Sequence, residues 1–410
     1  MKYNILLVVG ALCSGCGIMQ AQTLSLDSIL ALIEANHPEL KKYDYKIGAI
    51  KAYAQAAKNW EPPQAAAGFY QTPYNPFGNP NIGFAMFSVQ QAIPNPKKQA
   101  AKARYMLAGI NIEEANRTGQ LHQYINDAKL LYGEWTFLKK KQATIQKTKA
   151  IMEYITKAAE LRYQINKEDL SNIYKAKAEY YDWESQEITI QNEMEQRQIA
   201  LNTLMNRNPI TDFEIDTVEW TFSPLTTQLD SQYLAQNRSD LKTINQRIQQ
   251  QKLNLDLEDS KRLPDYGVRF DHMLGFGNQA NQFTLMGMFT IPIVPWASKE
   301  YEANKKGINS EIRQAEEEKN AIFNLVAGRL ASLRLSIANK KHELEHHQDK
   351  IIPALQKAYE TALIAYEQNT GDLFKVLEAL KAIQTKTIEV WEMKMEMWRL
   401  QSAYERELQQ

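Results

Sequence analysis

The chain has 410 residues, of which 44% are hydrophobic and 23% charged, the composition of a folded protein and not of a disordered one. Lysine and arginine balance aspartate and glutamate at 48 each, so no net charge draws the chain to nucleic acid or to an anionic surface. Glycine (17) and proline (14) are sparse for this length. Few helix breakers predict long helices.

The N-terminal segment has the pattern of an export signal. Lys2 is followed by an apolar run and then by small residues, which predicts a secretory signal peptide over residues 1–21. Cys13 and Cys16 both lie inside it, so a mature chain from Gln22 has no thiol. Because Cys16 follows Ser14 and Gly15, its lipidation is the open alternative. We see no later run of about 18 apolar residues, so a membrane-spanning form would need strands.

Three motifs occur twice in the same order, roughly 200 residues apart, a period that indicates a duplicated half. They are Leu26-Asp27-Ser28 with Leu229-Asp230-Ser231, Ile93-Pro94 with Ile291-Pro292, and Tyr163-Gln164-Ile165-Asn166 with Tyr366-Glu367-Gln368-Asn369. We therefore predict a first repeat over residues 22–210, a linker over 211–228 and a second repeat over 229–410.

Each repeat reads as a helix, two strands and two long helices. In the first repeat a helix is predicted over Asp27–Trp60, with strands over Gln64–Thr72 and Ile82–Ile93. Proline-free runs over Lys97–Tyr163 and Lys167–Asn208 then predict the long helices. In the second repeat, apolar residues step by three and four from Ile308 to Ile337 and again from Leu373 to Val390. That spacing predicts an antiparallel coiled-coil pair.

The strands of the second repeat alternate between apolar and less apolar residues, as in Tyr266, Val268 and Phe270. This pattern fits a soluble sheet resting on a core. It fits equally the wall of an outer-membrane barrel, with lipid outside and water inside. Aromatic residues crowd the strand ends, as in interfacial girdles, namely Tyr70, Tyr74, Phe77, Phe276 and Trp296. Unpaired backbone groups at open sheet edges are costly in lipid, so the barrel interpretation requires strands from several chains to form one closed sheet.

The segment from Leu26 to Leu40 resembles the opening helix of the TolC family of outer-membrane efflux proteins, and the resemblance extends over about Leu24–Leu408. The phrases 91–98 and 291–296 resemble the heavy-metal efflux branch in particular. The resemblance implies a mainly α protein with a small β part, whose homotrimer forms a 12-stranded transmembrane β-barrel and a periplasmic α-helical barrel.

The same resemblance implies a passive exit duct of a tripartite efflux pump, not an enzyme and without a cofactor, in the outer membrane of a Gram-negative bacterium. It would conduct metal ions or small toxic compounds. Its implied partners are outer-membrane lipid, a periplasmic membrane-fusion adaptor and an inner-membrane transporter of the RND type, with no nucleic acid. The alternative from another class is a soluble periplasmic coiled-coil scaffold or adaptor.

By resemblance, the turns between the long helices form periplasmic tips where the adaptor docks. The matching residues are Tyr163, Asn166, Asp169 and Leu170 in one repeat and Tyr366, Asn369, Gly371, Asp372 and Leu373 in the other. Ordinary turn chemistry explains the same residues, because Asn and Gly end helices and Asp begins them. Lys375 and Glu378 occupy positions that the family uses for a constriction.

Two further clusters carry side chains of the kinds that bind metal ions. His342 and His346 are one helical turn apart, but the surrounding residues are charged and a solvated helix face is favoured. Met393 and Met397 share a helix face and would suit copper(I), although packing is favoured. The mature sequence contains no nucleophile elbow, phosphate loop, CxxC pair or HExxH motif, so nothing supports catalysis.

Overall fold

A computed structural model describes residues 22–72, 74, 82–217 and 231–409. The predicted signal peptide with Cys13 and Cys16, the girdle residue Phe77 and the motif residues Leu229 and Asp230 lie outside these residues, as does most of the predicted linker. The described chain is mainly helical with a small sheet part.

The elements run in the order β1 (Gln22–Leu24), α1 (Leu26–Asn36), α2 (Pro38–Ala56), β2 (Gln64–Tyr70), β3 (Phe84–Ile93), α3 (Pro96–Gln164), α4 (Leu170–Leu204), β4 (Phe213–Ile215), α5 (Ser231–Asn237), α6 (Ser239–Ser260), β5 (Tyr266–Gly275), β6 (Gln282–Phe289), α7 (Pro295–His346), a π-helical turn (His347–Ile351), α8 (Ile352–Glu367) and α9 (Leu373–Leu408). The order of two helices, two strands and long helices therefore occurs twice along the chain.

The first predicted helix is in fact two. α1 ends at Asn36 and α2 begins at Pro38. Proline has no N–H to continue the α1 hydrogen bonds, but it suits the first turn of a new helix. The His37 side chain accepts a hydrogen bond from the Glu39 N–H and caps α2. The prediction of one unbroken helix over Asp27–Trp60 was wrong at this proline.

The long helices give the molecule its length. α3 has 69 residues, which corresponds to about 100 Å at 1.5 Å per residue. In the second half, α7 and α8 are separated by the π-helical turn, which ends two residues before Pro353. A proline ring clashes with the carbonyl four residues earlier, and the wider turn accommodates one extra residue there. The predicted stripes are buried, including Ile308, Val326 and Leu330 on α7 and Leu373 and Leu380 on α9.

Two sheets are present among the described residues. β1 and β4 form a short parallel pair, with Phe213 packed edge-on against Trp135 of α3. The larger sheet is antiparallel and has the order β2-β3-β5-β6, so the hairpin of each half pairs with the other through β3 and β5.

One described helical stretch, Pro295–Glu367, is long and apolar enough to cross a membrane by length and composition. The expectation that no helix would meet this measure was wrong. Core helices of soluble proteins pass the same test when they are mostly buried, but only 17% of the apolar window of this stretch is buried within the chain. Val326, Leu330 and Ile337 are buried in a cluster with Met397 and Tyr404 of α9. These three residues therefore pack between helices, and most of the other residues of the window are not buried in the single chain.

Candidate functional site: the sheet faces and the helical tips

One face of the four-stranded sheet is apolar and exposed. Strand alternation and the register place mostly apolar side chains on this face in all four strands, with His272 between Phe87 and Phe283 and Gln91 opposite Val268. We call it the apolar face: Phe69, Phe87, Val89, Tyr266, Val268, Phe270, Leu274, Phe283, Leu285 and Phe289. These side chains are between 39% and 71% exposed. A contiguous exposed apolar surface marks contact with lipid or with another protein.

The opposite face carries most of the polar residues of the sheet, and we call it the polar face. Directly paired positions carry Ser88 and Asp271, with Thr284 beside them on β6. Asp271 is only 3% exposed and accepts a hydrogen bond of 2.8 Å from Nε of Arg269. The buried carboxylate is therefore paired with a cation, as buried charges require. This polar face also carries Met86, Met273, Met286 and Met288.

The outer strands of the sheet leave backbone groups available. β2 and β6 each pair with one neighbour among the described residues, so one side of each strand is open. An open strand edge is a template for pairing with another chain. The sheet is thus incomplete as a single copy.

Aromatic residues lie at both ends of the strands, as the sequence predicted. Tyr70 and Phe276 lie at one end, where the Phe69 and Phe276 ring centroids are 6.1 Å apart. Tyr74 is fully exposed at the same end, and Trp296 is 79% exposed at the start of α7, beyond the other end.

The turns at the far ends of the long helices have the backbone chemistry that their sequences predict. Asn166 and Asn369 adopt φ of 56° and 59°, the left-handed conformation that ends a helix. Asp372 caps α9 by accepting a hydrogen bond of 3.1 Å from the Phe374 N–H. Asp169 occupies the matching position before α4, without a side-chain cap. Gly371 follows closely on α8, where a Cβ would lie 2.9 Å from that of Ala365.

A group of hydrogen bonds joins the two turns, and we call it the tip bridge. Arg162 of α3 donates to the Tyr366 carbonyl at 3.1 Å and to the Asn369 side chain, and its guanidinium lies 4.2 Å from the Tyr366 ring centroid. The Tyr366 hydroxyl donates to Glu168 at 2.9 Å. Asn172 donates to Asp372 at 3.1 Å.

The environment of the tip bridge raises the pKa of Tyr366. Burial, followed by the hydrogen bond to the Glu168 carboxylate, raises the pKa of Tyr366 to about 12. Both causes disfavour the tyrosinate, because it would be poorly solvated and would face another negative charge. Tyr366 therefore remains a donor at all physiological pH values.

No protein-family model matches the sequence, and no curated protein matches it. Solved structures do match. The outer membrane protein VceC from Vibrio cholerae is 15% identical over 93% of this chain and 95% of its own, with a TM-score of 0.69. The Campylobacter jejuni CmeC outer membrane channel is 14% identical over 93% and 85%, with a TM-score of 0.71. CusC, whose structures describe transmembrane channel formation, is 11% identical over 93% and 91%, with a TM-score of 0.74.

The chain has the fold of the TolC-type outer-membrane channels. The resemblance drawn from the sequence is thus confirmed at the level of the fold. Because the matches include several channels at similar scores, they do not select a branch of the TolC type, and the heavy-metal branch stays a prediction.

Within the TolC-type fold, the predicted tip residues lie together at the two turns, but their environments differ. Tyr163 and Leu170 are exposed, whereas Tyr366 and Leu373 are buried. Lys375 and Glu378 are exposed on α9 close to the second turn. Sequence reasoning missed Arg162, Glu168 and Asn172. Their only signal was proximity to the repeated motif, because their partners lie about 200 residues away in sequence.

The weak metal candidates found no support in the TolC-type fold. His342 is 81% exposed, and its Nδ1 lies 3.6 Å from Glu345. No group of three or more His, Cys, Asp or Glu residues suited to a metal is present in the part of the chain that the structure describes. Met397 is 2% exposed within a hydrophobic cluster, in agreement with packing.

Proposed function

We propose that this chain is one protomer of a passive exit duct in the outer membrane of a Gram-negative bacterium, and not an enzyme. Three copies would close a 12-stranded transmembrane barrel and gather their long helices into a periplasmic tunnel. The observation that carries this proposal is the apolar face, which is exposed on an open sheet with two free edges.

The energetics favour lipid contact on the apolar face. Fully burying one exposed large apolar side chain contributes about 1.5–3 kcal/mol, and these ten side chains are roughly half exposed, so covering them favours transfer from water by about 8–15 kcal/mol. The free edges of β2 and β6 would be costly in lipid, where each unpaired backbone group costs several kcal/mol. Pairing β2 of one copy with β6 of the next removes both edges, and cyclic repetition closes the wall.

Most apolar and most polar side chains lie on opposite faces of the sheet, as expected for the wall of a duct. The polar face would line a water-filled pore, as in other outer-membrane barrels. The rival function, a soluble scaffold, leaves the apolar face in water without a cover. We therefore rank the scaffold second.

The tips are the part of the molecule furthest from the sheet, about 100 Å away along α3. They are the natural place for a periplasmic adaptor, which would link the duct to an inner-membrane transporter of the RND type. Tyr163 and Leu170 offer exposed apolar surface there for docking. The tip bridge would hold the resting tip, and Lys375 and Glu378 would set its charge. Metal ions or small toxic compounds are the proposed cargo.

The test is planar-bilayer conductance of the detergent-purified protein, with its protein mass in detergent measured by light scattering. Discrete current steps from a species of three chains are expected. A water-soluble monomer or dimer that never inserts would refute the duct and favour the scaffold.

A further inference from the structure

A cavity of about 190 Å³ lies where α3, the start of α6, α7 and the end of α9 meet. Its wall is mostly polar and carries three arginines: Arg238 directly before α6, Arg329 on α7 and Arg406 on α9. We call it the arginine cavity. Sites for drug-sized molecules have about 300–1,000 Å³, so this smaller volume suits a small ion.

The N-terminus of α6 forms part of the wall of the arginine cavity. Ser239, the first residue of α6, donates from its backbone N–H and its hydroxyl to Oε1 of Gln409, at 2.7 and 2.8 Å. Gly119 of α3 lines the cavity beside it, and a Cβ at Gly119 would lie 3.0 Å from that of Ser239. The glycine therefore lets the end of α6 approach α3. The partial positive charge of a helix N-terminus adds to the charge of the arginines.

The arginines outnumber the carboxylates that pair with them. Arg238 lies 2.7 Å from Asp240 and 2.9 Å from Glu407. Arg329 shares the carboxylate of Glu407, at 3.2 Å. Arg406 forms no ion pair in the part of the chain that the structure describes. Three cations thus face two carboxylates, and both oxygens of Glu407 are already engaged.

His122 of α3, which also lines the cavity, lies in a positive electrostatic environment. Burial lowers its pKa, and the charges of Lys242 and Lys129 lower it further. Asp127 is within electrostatic reach of Arg406, but Lys242 has no ion pair among the described residues, so positive charge remains in excess. Nearby cations oppose protonation of an imidazole. His122 is therefore mainly neutral at pH 7 and can donate a hydrogen bond to an anion.

Asn126 has a polar group without a partner at the same cavity. Its side chain lines the cavity and is only 5% exposed, yet Oδ1 has no hydrogen-bond partner. Buried polar groups are nearly always hydrogen-bonded, because an unpaired one has lost its contact with water without replacement. A half-turn of the amide exchanges its oxygen and its nitrogen, so the same side chain can donate an N–H to an anion.

We infer that the arginine cavity binds one small tetrahedral oxyanion of the phosphate class per chain. Guanidinium groups hold phosphate oxygens through charge-assisted hydrogen bonds, and their planar fork fits this geometry. Arg406 and Asn126 would bind the anion directly, and Arg238 and Arg329 would add positive charge. The bound anion would join helices from both halves of the chain.

The position of the cavity points to an anion from solution. Gly119 lies about 35 Å from Pro96 along α3, at 1.5 Å per residue. The strands end just before Pro96. A lipid headgroup at the level of the sheet would therefore not reach the cavity, whereas free phosphate would.

The experiment uses the full-length protein in detergent and radiolabelled inorganic phosphate. Equilibrium dialysis at constant ionic strength, adjusted with potassium chloride, measures the phosphate bound per chain. Arg406→Gln removes the arginine that has no ion partner among the described residues, so no paired carboxylate loses its cation. Arg313→Gln is the control, at an exposed arginine of α7 that also has no ion pair in the described chain. Asn126→Asp keeps the side-chain shape and places a carboxylate in the cavity.

Wild type and Arg313→Gln are expected to bind one phosphate per chain, and Arg406→Gln is expected to bind it about tenfold more weakly or worse. Phosphate should raise the thermal midpoint of wild type, because it binds the folded state. Asn126→Asp is expected to bind no phosphate and to unfold at a higher temperature than wild type without phosphate, since its carboxylate takes the place of the anion.

Three results would overturn the anion site: no saturable binding to wild type, equal binding to wild type and Arg406→Gln, or stabilisation by potassium chloride alone that equals that by phosphate. A midpoint of Asn126→Asp below that of wild type in phosphate-free buffer would count against it as well. None of these measurements depends on channel formation, so their outcome is separate from that of the proposed duct.

Discussion

The guanidinium of Arg162 lies over the ring of Tyr366, 4.2 Å from its centroid, and the same arginine donates to the Tyr366 backbone carbonyl. These residues are 204 positions apart in sequence. One belongs to α3 and the other to α8, so the contact joins the first helical hairpin to the second at the tip.

Tyr366→Phe is expected to loosen the resting tip. It removes the hydrogen bond to Glu168 while keeping the ring under Arg162, a loss of about 1 kcal/mol per protomer for a partly exposed bond. Planar-bilayer recording should show a higher open probability. Tyr163→Phe, at the exposed tyrosine of the other turn, is the matched control and should behave as wild type. Equal effects of both substitutions would count against the tip bridge.

The pH dependence of the tip bridge follows from the raised pKa of Tyr366, which is about 12. A group whose folded pKa is raised contributes stability that is fully present below its unfolded pKa of about 10 and is lost as pH rises through the folded value. The stabilisation by the hydrogen bond to Glu168 should therefore decline from about pH 10, and the bond itself should be lost as the pH passes about 12. Burial also raises the pKa of Tyr124, Tyr132 and Tyr359, so ultraviolet titration of tyrosinate should show a late-titrating group that is smaller by one tyrosine in Tyr366→Phe. Identical titration curves would contradict this assignment.

A charge on the apolar face is expected to block membrane insertion. Leu285→Arg places a cation on the proposed lipid side, at a cost of about 2–4 kcal/mol near the bilayer midplane. Thr284→Arg, its neighbour on the polar face, should insert with a near-normal yield. Heat-modifiable gel mobility after reconstitution measures the folded fraction. Similar yields for both variants would argue that the apolar face does not meet lipid.

Gly133→Ala is expected to destabilise the helical region. A Cβ at Gly133 would lie 2.1 Å from Nε1 of Trp398, so the indole ring or the two helices, α3 and α9, would have to shift. Overpacking of this kind costs about 1–3 kcal/mol. Gly328→Ala, where no atom lies within 4 Å, serves as control and should be neutral or slightly stabilising, since alanine favours a helix. Thermal unfolding followed by circular dichroism compares the two, and a lower midpoint for Gly328→Ala alone would contradict the expectation.

Cys16→Ser is expected to leave insertion and conductance unchanged. Gln22 pairs with Phe213, which packs on Trp135, and α3 leaves the sheet at Pro96. At about 1.5 Å per residue, these positions are about 58 Å apart along the helix. Six extended residues span at most about 22 Å, so a lipid at Cys16 would not reach the level of the strands. Membrane fractionation and conductance test this, and loss of the protein from the outer-membrane fraction would contradict it.

Much of the fold was predictable because its signals are local. The period of apolar residues revealed the long helices and their seams, and strand alternation revealed the apolar face. Short-range breaks were harder to predict: Pro38 divides the first helix, and the π-helical turn before Pro353 gave no recognised sign. The sequence did not show which strands and side chains contact each other across the two halves of the chain. The pairing of β3 with β5 and the contacts of Arg162 depend on residues from the other half. The turn residues were found for their backbone chemistry, and the bridge between them was not.

The strand order has a consequence for how many copies assemble. In the proposed barrel, the open sides belong to the first and last strands of the sheet, so every added copy would present the same two open edges and edge pairing alone would not fix the number of copies. The wall would close only when its accumulated curvature brought the two ends together. The strands continue into α2, α3, α6 and α7, which lie side by side in the same order. The lateral spacing of these helices would therefore set the circumference of the closed wall, and with it the number of copies.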